Sequence, residues 1–216
     1  MHGVELVIFD CDGILVDSER LSVDISVQVL NDFGLYLTRA QVIERFVGAT
    51  DGLIEATIER QTGRQLTEAE HAGMRSRYRD AYEQRLKPVR GVTEMLPAIR
   101  HPMCVASGSR PDVLRRKLEI CGLLPYFDGR LFSASQVAAG KPAPDVFLLA
   151  AAAMGASPKR CVAVEDSVYG VAAARAAGMR ALAYGGGLIA AEALAGPDTV
   201  IFEEMDQLPS LIGEMT

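Results

Sequence analysis

Beyond residue 88 the chain alternates short apolar runs with segments of helical spacing. Met103-Cys104-Val105-Ala106, Cys161-Val162-Ala163-Val164 and Arg180-Ala181-Leu182-Ala183-Tyr184 are brief and almost wholly apolar. Such runs read as strands covered on both faces, not as half-exposed antiparallel strands. The stretches near 91–99, 111–120, 144–154 and 167–177 read as helices. A weak strand is expected around Arg130-Leu131-Phe132, a last strand near 199–202 and a last helix near 206–212. Strands joined by helical crossovers run parallel and form an α/β sheet with helices on both faces.

One more apolar run, Val4 to Phe9, stands far ahead of the others. Residues 17–87 between them read as mostly helical. Asp17 or Ser18 is a suitable start for a helix ending before Gly34, and weaker helices follow near 39–46 and 51–61. Thr67 with Glu70 has the spacing of a capping box and opens a long charged helix through about Leu86. A helical block of this length exceeds any ordinary crossover. The expectation is a doubly wound, Rossmann-like parallel sheet formed by 1–16 and 88–216, with a helical cap inserted at 17–87.

The 216 residues carry a formal net charge of −6, which disfavours nucleic acid as the main partner. No stretch is long and apolar enough for a bilayer span, so no membrane association is expected. Cys11, Cys104, Cys121 and Cys161 form no C-x-x-C pair, and two of them lie in expected buried strands. Reduced thiols in a cytoplasmic setting are the expectation. Nothing in the sequence demands more than a monomer.

Ligands of a doubly wound sheet sit at the carboxyl ends of its strands. Here those ends are polar. The first strand ends in Asp10-Cys11-Asp12-Gly13, the second in Ser107-Gly108-Ser109, and a later one in Glu165-Asp166. Between them Gly140-Lys141-Pro142-Ala143-Pro144-Asp145 presents one lysine on a stiff loop. Two like charges about 4 Å apart repel by roughly 4 kcal/mol at an effective dielectric near 20. Asp10, Asp12, Glu165 and Asp166 together therefore call for protonation or a bound cation. An all-oxygen donor set favours a hard ion, Mg²⁺ first. Carboxylates with such an ion on one side, and Ser107, the Gly108 and Ser109 N–H groups and Lys141 on the other, suit phosphoryl transfer.

Each of these residues also has a plainer reading. Asp10 and Asp12 could serve a turn, Ser107-Gly108-Ser109 a strand-to-helix loop, and Glu165-Asp166-Ser167 a helix cap. A lone Lys141 would ordinarily be a surface lysine. Their placement at one edge of one sheet weighs against coincidence. Cys11, flanked by carboxylates, is expected to pack and not to react. Arg45 and Arg110 carry no assignment, and Gly185-Gly186-Gly187 lacks a G-x-G-x-x-G pattern and reads as a loop near the site rim.

The four segments resemble the motifs of the haloacid dehalogenase-like hydrolases, in the branch of sugar phosphatases and β-phosphoglucomutases. The resemblance spans nearly the whole chain. It implies Asp10 as a nucleophile forming an aspartyl-phosphate and Asp12 as the acid and base. It implies Mg²⁺ held by Asp10, the Asp12 carbonyl and Asp166, with Glu165 a ligand or close neighbour. Ser107, Gly108 and Lys141 would hold the transferring phosphate, and the cap would exclude water. Mutases of this branch carry a histidine where this chain has Ser22, and basic groups near the cap turn at Gly48, where it has Val47 and Asp51. The expected activity is hydrolysis of a small phosphorylated metabolite, a sugar or sugar-acid phosphate. A mutase is the enzymatic alternative, and a phospho-accepting signalling domain the non-enzymatic one.

Overall fold

The computed structural model describes residues 3–47 and 52–215. Six strands form one parallel sheet: β1 (Leu6–Phe9), β2 (Met103–Ser107), β3 (Leu131–Ser133), β4 (Cys161–Glu165), β5 (Arg180–Tyr184) and β6 (Thr199–Phe202), in the order β3-β2-β1-β4-β5-β6. The run that leads the sequence thus lies at the centre. Val7 is in register with Met103 and Val162, and Ile8 with Cys104 and Ala163.

The two faces differ in side-chain size, and this sets how helices approach. One face offers Ile8, Cys104, Ala106, Cys161, Ala163, Ala181 and Ala183. These mostly small residues let α7 (Asp145–Ala153) and the alanine-rich α8 (Val168–Ala176) pack against it. The other face offers Val7, Phe9, Val105, Val162, Val164 and Leu182. It is covered by α5 (Val92–Met95), α6 (Pro111–Ile120) and α10 (Leu208–Glu214) through Val92, Leu114, Leu118, Leu208 and Ile212.

Two segments differ from the sequence expectation. The helix near 91–99 is α5 followed by a 3₁₀ turn, Leu96–Ala98. Pro97 has no N–H for the i−4 bond, so the α pattern cannot continue through it. A further short helix, α9 (Ala191–Leu194), precedes β6 where none was expected.

The described residues of 18–85 include four helices: α1 (Ser18–Asp32), α2 (Arg39–Phe46), α3 (Leu53–Thr62) and α4 (Glu68–Arg85). They share an apolar cluster of their own, including Val23, Val29, Leu30, Val42, Ile58 and Met74. Helix α4 is charged on most of its surface and meets α1 through Tyr82 to Ser22 (2.7 Å) and Tyr78 to Ser26 (2.9 Å). Both α2 and α4 start with complete capping boxes, Thr38–Gln41 and Thr67–Glu70. The chain enters and leaves this unit side by side. Val16 bridges Pro88, Asp17 N–H donates to the Lys87 carbonyl (2.9 Å), and Val89 N–H donates to Leu15 (3.1 Å). The expected mutase positions at Gly48 and Asp51 lie outside the described residues. Among the described residues no helix is long and apolar enough to cross a membrane.

Candidate active site

The carboxyl ends of β1, β2 and β4 gather the candidate residues. Lys141 lies between two of them. Its Nζ donates to Asp10 Oδ1 (2.5 Å), to Glu165 Oε1 (2.6 Å) and to the Ala106 carbonyl (3.0 Å), and stands 4.9 Å from the centre of the Phe147 ring. Asp10 and Glu165 are both buried. Burial is the main force pushing the Asp10 carboxyl above its ordinary range, opposed by Lys141 and reinforced by Glu165 and Asp12. Burial would also lower Lys141, but Asp10 and Glu165 outweigh it and hold the ammonium above the usual lysine value.

Glu165 has no free oxygen. Its second oxygen accepts from the Asp166 N–H (3.1 Å), the Ser167 N–H (3.2 Å) and the Ser167 hydroxyl (3.0 Å). Ser167 in turn caps α8 by accepting from Gly170 N–H at 2.9 Å. The carboxylate fills the space where a Cβ at position 170 would stand, so glycine is required there.

Asp166 is buried, and its Oδ2 has no hydrogen-bond partner. Buried polar atoms of this kind are rare in native proteins. Gly13 makes room for it. The Gly13 backbone is left-handed, φ 78°, and a Cβ there would fall inside the Asp166 carboxylate. Glu19, in the first turn of α1, stands close enough to Asp166 for the two carboxyls to interact. Burial pushes both carboxyls up, and their mutual repulsion adds to the effect at Asp166. A cleft of about 110 Å³ opens beside Gly13 and Glu19, lined also by Gly186 and Gly187 of the glycine run.

Asp12 has its own set of partners. Its Oδ1 accepts from Lys117 Nζ (2.5 Å) and from the Ser18 hydroxyl, and its Oδ2 accepts from the Ser109 hydroxyl (2.9 Å). Burial raises this carboxyl, but Lys117 and the hydroxyl donors prevail and hold it below its usual range. Ser107 is fully buried and its hydroxyl accepts from Ser109 N–H at 3.0 Å, while Gly108 is exposed at the strand end.

The carboxylates are thus held by different partners. Among the described residues no three His, Cys, Asp or Glu side chains stand together as a metal-ligand group. Lys117 pairs with Asp12, and Lys141 with the start of α8 occupies Glu165. The buried Asp166 oxygen without a partner, near the buried Asp10 carboxylate, is an oxygen donor that suits a hard cation.

A model of the haloacid dehalogenase-like hydrolase family matches residues 4–178. The chain belongs to this family. It is 32% identical to the 6-phosphogluconate phosphatase of Escherichia coli over 98% of this chain and 96% of that protein. It is 35% identical to an E. coli fructose-1-phosphate phosphatase over 82% of this chain and 94% of that one. Among solved structures, a haloacid dehalogenase-like protein of unknown function from Agrobacterium tumefaciens superposes with a TM-score of 0.85 at 36% identity, each chain covered to 99%.

Within this haloacid dehalogenase-like site, sequence reasoning missed three residues. Lys117 sits in Arg-Arg-Lys on a charged helix and reads as a solvated face. Ser18 reads as a helix start, yet its hydroxyl goes to Asp12. Glu19 carried no signal beyond its nearness to the first motif. Arg110 is exposed and pairs with Asp112, and Arg45 is exposed on α2. All four cysteines are free, and Cys11 is buried in the apolar core with its thiol pushed well up by burial.

Proposed function

We propose that this haloacid dehalogenase-like hydrolase removes phosphate from a small phosphorylated metabolite, a sugar or sugar-acid phosphate, with Mg²⁺ as cofactor. The observation that carries this reading is the Asp10–Lys141 pair beside the unpartnered Asp166 oxygen. It joins a nucleophile, a cation for the phosphoryl oxygens and an open ligand position at one sheet edge. The relatives named for 6-phosphogluconate and fructose 1-phosphate support the substrate class.

Asp10, Asp166 and the Asp12 carbonyl would hold the ion, with Glu165 behind them as the partner of Lys141. When bound, Mg²⁺ supplies positive charge that screens the carboxylates and the phosphoryl oxygens. In this reading Asp10 attacks phosphorus and forms an aspartyl-phosphate as the alcohol oxygen departs. Asp12 would take up a proton before this step, give it to that oxygen, and then take one from the water that hydrolyses the acyl phosphate. Ser107, the Gly108 N–H and Lys141 hold the phosphoryl oxygens during both steps. Residues 17–87 would act as the cap over the core of 1–16 and 88–216, excluding bulk water during the reaction.

A phosphate-shuttling mutase is the weaker reading. Ser22 occupies the position of the mutase histidine and its hydroxyl is engaged with Tyr82. Release of inorganic phosphate from a panel of sugar phosphates, sugar-acid phosphates, phosphoglycolate and nucleotides tests the proposal, with Mg²⁺ and with chelator. Turnover should require Mg²⁺ and vanish in Asp10→Asn. A folded protein that hydrolyses no member of the panel, or isomer formation from a hexose 1-phosphate that outpaces phosphate release, overturns it.

A further inference from the structure

Two adjacent residues of α6 hold two adjacent residues of α4. The Arg116 guanidinium meets the Glu83 carboxylate at 2.6 and 2.7 Å. Beside it, Lys117 Nζ stands 5.0 Å from the centre of the Tyr82 ring. The first pair is exposed, but Lys117 is only 5% exposed. Tyr82 is tied back to α1 by its hydroxyl, 2.7 Å from Ser22.

Burying an ammonium is costly, and packing alone does not call for it. Its helix neighbours Leu114 and Leu118 are buried by ordinary apolar contact. Lys117 differs because its charge is spent on one carboxylate. Nζ donates to Asp12 Oδ1 (2.5 Å) and to Ser109 Oγ (3.1 Å), and Ser109 holds the other Asp12 oxygen at 2.9 Å. The Asp12 carboxylate is thus gripped from α1 by Ser18, from the β2–α6 loop by Ser109 and from α6 by Lys117. Lys117 is the only charged member of the three, and its ammonium lies against an aromatic ring of α4.

We infer that Lys117 is a positioning residue for Asp12, and that Tyr82 fixes where Lys117 stands, so the seating of α4 on α6 sets the aim of the acid–base group. The inference rests on the reading of Asp12 as proton donor and acceptor. A carboxylate that loses its charged holder can turn toward other cations, such as Lys141, and small misalignments at a reacting centre are expensive in rate.

The test measures kcat and KM on the best substrate of the panel for wild type, Lys117→Met, Lys117→Arg, Tyr82→Leu and the Tyr82→Leu/Lys117→Met double variant. Each rate is normalised to the folded fraction from thermal denaturation. Lys117→Met should lower kcat by about 10- to 100-fold with KM within about twofold, and Lys117→Arg should recover part of the loss. Tyr82→Leu should lower kcat alone and add nothing in the Lys117→Met background, because one residue acts through the other. An active wild type whose kcat survives Lys117→Met overturns the inference and leaves the phosphatase reading intact. Independent, multiplicative losses overturn the Tyr82 link. A wild type inactive on every phosphoester overturns both readings. If Lys117→Met does not fold, Tyr82→Leu decides: unchanged kcat per folded molecule overturns the coupling, and a lowered kcat at constant KM supports it.

Discussion

Gly13 and Gly170 show how closely the acidic corner is packed. Each leaves its neighbouring carboxylate the volume that a methyl group would take, Gly13 for Asp166 and Gly170 for Glu165. Gly170→Ala should therefore displace Glu165 and cost about 1–3 kcal/mol, read as a fall in Tm. It should also slow turnover, because Glu165 would lose its hold on Lys141. Gly13→Ala should be worse, since its backbone is also left-handed. The two glycines were not equally legible. Gly13 follows two aspartates at a strand end and announces a tight turn. Gly170 sits in Val-Tyr-Gly-Val-Ala-Ala-Ala, where nothing local separates it from other small residues. Lys117 is the same case in a polar setting. Its burial depends on Tyr82 and Asp12, which are far away in the chain.

The helices of residues 18–85 were readable because their signals are local. Thr67 and Glu70 form the reciprocal cap that their spacing suggests, and Thr67→Ala should cost about 1 kcal/mol. Glu70 does a second job. Arg64 donates to both of its oxygens, at 2.6 and 3.0 Å, and the Arg64 and Thr67 bonds together lower its carboxyl from 4.5 to about 2. A carboxyl depressed by folding adds stability above its unfolded value and loses it as the pH falls toward the folded one. Glu70→Gln keeps the cap but removes the charge. Its Tm should lie below wild type at neutral pH, and the gap should close as the pH drops from 4.5 toward 2. Thermal scans across that range measure it, and a constant gap would show that the ion pair contributes nothing. Less legible were α9 and the 3₁₀ turn after α5. Short elements lack the periodicity that identifies longer ones.

For the molecule as a whole, an ion held by the orphaned Asp166 oxygen, as proposed, would make metal and stability interdependent. An ion that binds the folded chain alone stabilises it by about 2.7 kcal/mol at a hundredfold excess over Kd. For a chain of this size that corresponds to a Tm rise of about 5–10 °C. Mg²⁺ should produce such a rise in wild type, chelator should reverse it, and Asp166→Asn should abolish it; an unchanged wild-type Tm would count against the proposed site. The parallel sheet was legible from strand composition, and its helical insertion from the length of chain without a strand. The direction of each carboxylate was not. For Asp10, Asp12 and Glu165 it goes with the lysine that pairs with each, Lys141 or Lys117, and that follows from packing between distant elements.

The sheet places β1 between β2 and β4, both of which come much later in the chain. On the ribosome, Leu-Val-Ile-Phe therefore emerges as a sticky ribbon with neither flank available. It must wait for Met103–Ser107 on one side and Cys161–Glu165 on the other. Meanwhile the helices of residues 18–85, with their own apolar cluster, can already condense. Biogenesis then depends on keeping that nascent ribbon from adhering to others like it until Cys161–Glu165 has been synthesised.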